Sequence, residues 1–161
     1  MVSITPALDA TSLAAIRILF LEYAASLDVD LAYEDFQREV ASLPGDYASP
    51  RGCLFLATEG GDAVGCVGVR PYDGDVCELK RLYVKPTTRG SGTGRQLAVA
   101  AIEFARAAGF RAMRLDSLPS MTTAHTLYDV LGFQRIAPYR FSPVADNLFM
   151  ELVLTPTNSR Q

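Results

Sequence analysis

Arg89-Gly90-Ser91-Gly92-Thr93-Gly94 lies between a strand-like run, Val76 to Val84, and a helix-like run, Arg95 to Ala108. Three glycines within five residues at such a junction let bare backbone amides close around an anion. A helix start adds unpaired N–H groups and the positive end of the helix dipole, worth about 0.3–2 kcal/mol to a negative group placed there. The stretch reads as a phosphate cradle; the plainer reading is a Gly/Ser-rich connection. Spacing rules out two better-known phosphate binders. A dinucleotide fingerprint needs G-x-G-x-x-G and a P-loop needs G-x-x-x-x-G-K-[ST], whereas here Gly90, Gly92 and Gly94 alternate and Arg95 follows the last of them.

Upstream of the cradle, Cys53–Thr58, Ala63–Arg70 and Val76–Val84 are β-type runs. They are joined by Glu59-Gly60-Gly61-Asp62 and Tyr72-Asp73-Gly74-Asp75, short connections of the hairpin kind, so an antiparallel meander is expected. Before it, a helix is predicted from the N-cap Asp9 to Leu27, with Leu13, Ile16, Phe20, Tyr23 and Leu27 on one face. A short helix, Tyr33 to Leu43, must stop near Pro44-Gly45. Downstream, the helix Arg95–Ala108 closes at Gly109. A strand Arg111–Asp116, a helix Thr122–Leu131 ended by Gly132, and strands Phe133–Ala137 and Asn147–Leu154 follow. This order predicts an α+β (mixed α/β) fold, a mostly antiparallel central sheet flanked by helices, as a single domain over residues 1–161 with a frayed tail from Thr155.

The 161 residues are 49% hydrophobic and 20% charged, enough to bury a proper core. A formal net charge of −3 argues against nucleic-acid binding, which usually needs a basic stripe. The charges are nonetheless segregated: residues 1–50 hold eight acids against Arg17 and Arg38, a net −6, and the rest hold ten acids against thirteen bases, a net +3. Anion binding is therefore expected in the second part. Cys53, Cys66 and Cys77 form no C-x-x-C pair and sit in apolar runs, as core thiols in a reducing compartment do. The N-terminus lacks a basic flank followed by an apolar signal region, and no apolar run approaches the roughly 18–20 residues of a membrane span, so a cytoplasmic protein off the membrane is expected.

The element order, with Arg89-x-x-Gly92-x-Gly94 opening the long helix after Leu82-Tyr83-Val84 and Pro86, resembles the GNAT superfamily of acetyl-CoA-dependent N-acetyltransferases. A second element, Ala124-His125-Thr126-Leu127-Tyr128-Asp129-Val130-Leu131-Gly132-Phe133, is similar to the family's Ala-x-x-Leu-Tyr-x-x-x-Gly-Phe helix and strand. The resemblance implies that the amides of Gly90, Ser91, Gly92, Thr93 and Gly94, with the Arg89 backbone, hold the coenzyme A pyrophosphate. It also implies that the Leu82, Tyr83 and Val84 edge pairs with pantetheine like an added strand, and that Ala124 and Tyr128 line the cofactor. One position departs from the family: Met121 stands where many members have Asn.

The reaction this implies, acyl transfer to an amine in a ternary complex, needs a neutral nucleophile, although a lysine-like ammonium has a pKa of about 10.4. Glu78, eleven residues before Arg89, matches the position of the catalytic Glu in some members and is the expected base, directly or through water; the alternative is an exposed or salt-bridged strand glutamate. Strand alternation puts Glu78 on one face with Lys80 and Leu82. A strand amide near Leu82 is the expected donor to the acyl oxygen, and Tyr128 the group that protonates or hydrogen-bonds the leaving thiolate, unless it is simply core. His125, the sole histidine, reads as a polar helix-face residue, and no metal site is expected. Lys80 and Arg81 are either a solvated pair or reach the substrate; with Arg140 they offer cations for a carboxylate, while the acidic first fifty residues attract an ammonium. The expected acceptor is therefore a small-molecule amine, an amino acid by this charge argument. Protein lysine or N-terminal acetylation and a non-catalytic acyl-CoA sensor stay open as alternatives, as does a homodimer.

Overall fold

The computed structural model describes residues 1–27 and 29–154, so the tail expected to fray lies outside the described residues. Seven strands form one sheet: β1 (Val2–Pro6), β2 (Cys53–Glu59), β3 (Asp62–Asp73), β4 (Val76–Val84), β5 (Ala112–Ser117), β6 (Gln134–Arg135) and β7 (Leu148–Val153). Their spatial order is β1-β2-β3-β4-β5-β7-β6, antiparallel throughout except for β4 against β5. The meander is as expected, and the sequence reading missed β1, a five-residue edge strand whose Val2 and Ile4 alternate among Ser3, Thr5 and Pro6. The expected 133–137 strand is two residues long, because its pairing with β7 covers only Gln134 and Arg135.

Two cores cover the two faces. On one, α3 (Thr93–Ala107) lays Leu97, Ala98, Ala101, Ile102 and Ala105 on the sheet, joined by Tyr128 of α4 (Thr122–Leu131). On the other, α1 (Ala10–Ser26) buries Ile16, Leu19 and Phe20 and α2 (Phe36–Ala41) buries Phe36 and Val40. Asp9 caps α1 by accepting the Ser12 N–H at 2.8 Å, as its position predicts. The expected Tyr33–Leu43 helix is broken: a 3-10 turn over Leu31–Glu34 precedes α2, and Asp35 between them has φ 60. Gly68 has no substitute here, since a Cβ would stand 2.6 Å from the Tyr47 ring that packs across the sheet. Cys53, Cys66 and Cys77 are free and buried. Among the described residues no helix is long and apolar enough to cross a membrane.

Two irregularities of β4 make room for a site. Its parallel pairing with β5 covers only Val76, Cys77 and Glu78, after which the strands part. On its other edge the register with β3 slips between Cys66↔Tyr83 and Gly68↔Lys80, so that Arg81 and Leu82 together face Val67, with Arg81 at φ 60. This is a β-bulge, which re-aims the side chains beyond it.

Candidate active site

The cradle is built by the start of α3, two residues earlier than the apolar pattern suggests. Gly92 is the N-cap at φ 84 with no side chain capping it, and Gly90 has φ 87, both in the left-handed region that glycine alone enters freely. A Cβ at either would meet nothing within 4 Å, so this face of the loop is open. The first helical bond runs from Gln96 N–H to Gly92 O at 3.0 Å, which leaves the Thr93, Gly94 and Arg95 amides ahead of the helix ladder. The side chains brace the loop instead: Ser91 Oγ donates to Thr88 O at 2.6 Å and pairs with Thr93 Oγ1 at 2.8 Å. Arg89 Nε donates to Val84 O at 2.9 Å, folding that guanidinium onto the end of β4 and leaving the Arg89 backbone at the cradle. A run of amide donors with a helix dipole behind it fits a pyrophosphate.

Beyond Glu78 the β4 edge that faces β5 has no strand partner, so extended backbone is open to an amide-bearing ligand. The bulge corrects the predicted face: Leu82 and Val84 pack on the α3 side, whereas Arg81 and Tyr83 turn toward α1 and α2, so Leu82 does not share a face with Glu78 and Lys80. Tyr128 is 5% exposed, its ring 5.5 Å from Phe133, with Ala124 partly buried against the same core. Burial first, then the neighbouring Tyr23 and Asp116, push the Tyr128 phenol well up, so it stays protonated as a hydrogen-bond donor.

Glu78 is wholly buried, and its carboxylate is already spoken for. Oε1 accepts from Arg70 Nε at 3.1 Å, and Oε2 accepts from Tyr139 Oη at 2.7 Å and from Arg140. Burial opposes its ionisation, but Lys80, Arg140, Arg70 and the Tyr139 hydroxyl outweigh it and hold the pKa below the usual carboxylate range. Of the sequence readings, a base or an exposed or salt-bridged strand residue, the salt-bridged one describes its resting contacts, and burial in the strand excludes the exposed one. Nor are Lys80 and Arg81 a solvated pair, being 4% and 5% exposed: strand burial on the α1 side encloses both. Arg81 grips Glu39 through Nε at 3.0 Å and a second nitrogen at 2.8 Å, and Lys80 Nζ lies 3.5 Å from Asp116. Glu39 in turn accepts from Tyr47 at 2.8 Å and lies 3.7 Å from Arg70.

Contacts therefore run from Arg81 through Glu39, Arg70 and Glu78 to Arg140, with the Lys80–Asp116 pair beside them. Among the described residues, two buried side-chain polar atoms have no hydrogen-bond partner, and both belong to this region: Arg140 Nε, a donor, and Asn147 Oδ1, an acceptor. Arg140 is carried by the β6–β7 connection and rests against the edge-to-face pair of Tyr72 and Tyr139, its guanidinium 5.4 and 5.3 Å from their ring centres. His125 is buried rather than on a polar face, with Nε2 3.0 Å from Ser117 Oγ, because α4 presses that side on β5. The sequence reading missed Glu39, Arg70, Asp116 and Tyr139; charged residues inside otherwise apolar runs, Arg70 and Asp116 among them, were the available signal.

Residues 15–133 match the profile of the Acetyltransferase (GNAT) family. An uncharacterized N-acetyltransferase of Schizosaccharomyces pombe is 34% identical over 141 residues, 86% of each chain. The uncharacterized N-acetyltransferase YjgM of Escherichia coli is 33% identical over 124 residues, 75% of this chain and 73% of that one. N-acetylaspartate synthetase of Rattus norvegicus is 30% identical over 161 residues, which are 93% of this chain but 54% of the relative. Among solved structures, a GNAT acetyltransferase of Staphylococcus aureus has a TM-score of 0.78 at 20% identity, covering 96% of this chain and 99% of that one. A Salmonella typhimurium acetyltransferase, yncA, solved with acetyl-CoA, has a TM-score of 0.72 at 22% identity, covering 99% and 96%.

Proposed function

The chain belongs to the GNAT acetyltransferase family and is an acyltransferase, and we propose that it moves the acetyl group of acetyl-CoA to the primary amine of a small amino-carboxylate. The observation that carries the acceptor class is Arg140 Nε, a buried donor with no acceptor among the described residues. A substrate carboxylate supplies that acceptor, and a guanidinium held against the Tyr72 and Tyr139 rings has less side-chain freedom to lose on presenting its fork.

Each part of the chain then has a task. The amides of Gly90 to Gly94, with the Arg89 backbone, hold the pyrophosphate; the β4 edge at Leu82, Tyr83 and Val84 lies along pantetheine, and Ala124 and Tyr128 flank it. Acetyl-CoA supplies, when bound, a thioester whose acyl carbon is open to amine attack. The Leu82 amide is placed to stabilise negative charge on the acyl oxygen, and the protonated Tyr128 hydroxyl to donate to the departing sulfur. Glu78 acts as base only after exchanging one of its donors for the amine or a bridging water. Otherwise it fixes Arg70 and Arg140. Arg81, gripped by Glu39, acts on the acceptor by orienting Glu39 and Arg70, and Lys80 flanks the amine.

Relatives whose name gives N-acetylaspartate as product make aspartate a rational member of the substrate panel. The test is thiol release from acetyl-CoA against free amino acids, polyamines, and peptides with a lysine or an N-terminal alanine. Free amino acids are expected to give the highest kcat/KM. A preference for peptides or polyamines would overturn the acceptor class.

A further inference from the structure

Asp116 stands near the end of β5, where β4 has already departed, and lines a cavity of about 30 Å3 with Tyr23, Leu31, Lys80, Ser117 and Asn147. That volume takes about one water-sized group, and an ammonium is of that size. The Asp116 side chain is 4% exposed, with Oδ1 3.5 Å from Lys80 Nζ and Oδ2 3.4 Å from Asn147 Nδ2, both long contacts. Since the Asn147 amide nitrogen faces Asp116, the atom left buried without a donor is its carbonyl oxygen. Ser117 Oγ is engaged by His125 Nε2 at 3.0 Å. The cavity thus brings together a loosely held carboxylate and an unsatisfied amide oxygen, two acceptors suited to the N–H groups of one ammonium. Glu78, by contrast, has three donors on its two oxygens, two of them guanidinium groups.

We propose that Asp116 and Asn147 hold the acceptor's ammonium at the opening between β4 and β5, and that Asp116 is the group that takes its proton. The inference rests on the acetyl-transfer reading and deepens it. One proton passes from the ammonium to an Asp116 carboxylate oxygen, leaving a neutral amine with its lone pair. The new C–N bond forms as the C–S bond breaks, and a second nitrogen proton compensates the thiolate, so that amide and free thiol leave and Asp116 returns its proton to water. Asp116 and the Arg140 anchor together read the two ends of an amino-carboxylate: among the described residues, Asn147 Oδ1 and Arg140 Nε, one acceptor and one donor, are the buried side-chain atoms left unsatisfied.

Crystals soaked in methylammonium chloride test the ammonium site without any acyl donor. The nitrogen is expected within hydrogen-bond distance of both Asp116 and Asn147 Oδ1, absent in Asp116→Asn and retained in Glu78→Gln. In turnover, Asp116→Asn is expected to cost about 10²–10⁴-fold in kcat with the best amine of the panel, while acetyl-CoA still raises the Tm of the variant as it does for the wild type. Methylammonium seated elsewhere or nowhere, or Asp116→Asn within about tenfold of wild-type kcat, overturns the assignment. Should Asp116→Asn not fold, Asn147→Leu decides it, methylammonium being lost if the proposal holds and kept if it does not. If no amine in the panel is acetylated, the acceptor reading fails by itself and the soak still decides this one.

Discussion

Neutralising Glu78 would leave two guanidinium groups, those of Arg70 and Arg140, without their shared counter-ion in a buried place. Breaking a buried pair from one side costs about 3–5 kcal/mol, so Glu78→Gln should lower the Tm by several degrees as well as lowering turnover, with little change in acetyl-CoA affinity. The same contacts give a pH signature. The folded pKa values of Glu78 and Glu39 lie below the ordinary carboxylate value, Glu78 held down by Lys80, Arg140 and Arg70 and Glu39 by Arg81, each against the cost of burial. Their stabilisation is therefore fully present above the unfolded value of about 4.3 and is lost as pH falls through the lower folded values. A Tm series from pH 7 to pH 3 should fall more steeply below about pH 4.3 for the wild type than for Glu78→Gln; parallel curves would show that Glu78 carries none of it. Tyr128→Phe keeps the ring contact with Phe133 and removes only the hydroxyl. It should fold as the wild type does and lose on the order of 10²-fold in kcat, as steady-state rates and Tm together would record.

At the level of the element, the N-terminus of α3 is where sequence and structure agree most closely. The glycine-opened helix start was legible because a helix start and a residue free of Cβ are both local properties. Gly92→Asp sets a carboxylate among the amides and an L side chain at φ 84, and Arg89→Glu removes the bond to Val84 O while adding negative charge. Either should abolish the rise in Tm that acetyl-CoA gives the wild type by mass action; an undiminished rise in both would remove the pyrophosphate assignment. The β4 bulge was not legible. Strict alternation over Val76–Val84 puts Leu82 beside Glu78, and only the slip against Val67, with Arg81 at positive φ, turns it away. The edge strand β1 escaped for the opposite reason: five residues with two apolar positions carry too little pattern to stand out, and pairing with β2 supplies the rest.

Across the whole molecule, the charge segregation seen along the chain becomes a network in space. Glu39 comes from the acidic first fifty residues, Arg70, Glu78, Lys80 and Arg81 from the central strands, Asp116 from β5, and Arg140 from the β6–β7 connection. Sequence reading found the cations on β4 and Arg140 but not their partners, because burial in pairs depends on which strands meet, and no spacing along the chain encodes the meeting of residues 39 and 81. Arg140 Nε, unsatisfied among the described residues, is the observation behind the proposed amino-carboxylate acceptor. The most direct measurement is the ratio of kcat/KM for acetylation of L-alanine to that for ethylamine, its decarboxylated counterpart, in wild-type protein and in Arg140→Ala. A ratio well above one is expected in the wild type, collapsing in Arg140→Ala mainly through KM; a wild-type ratio at or below one would contradict an amino-carboxylate acceptor.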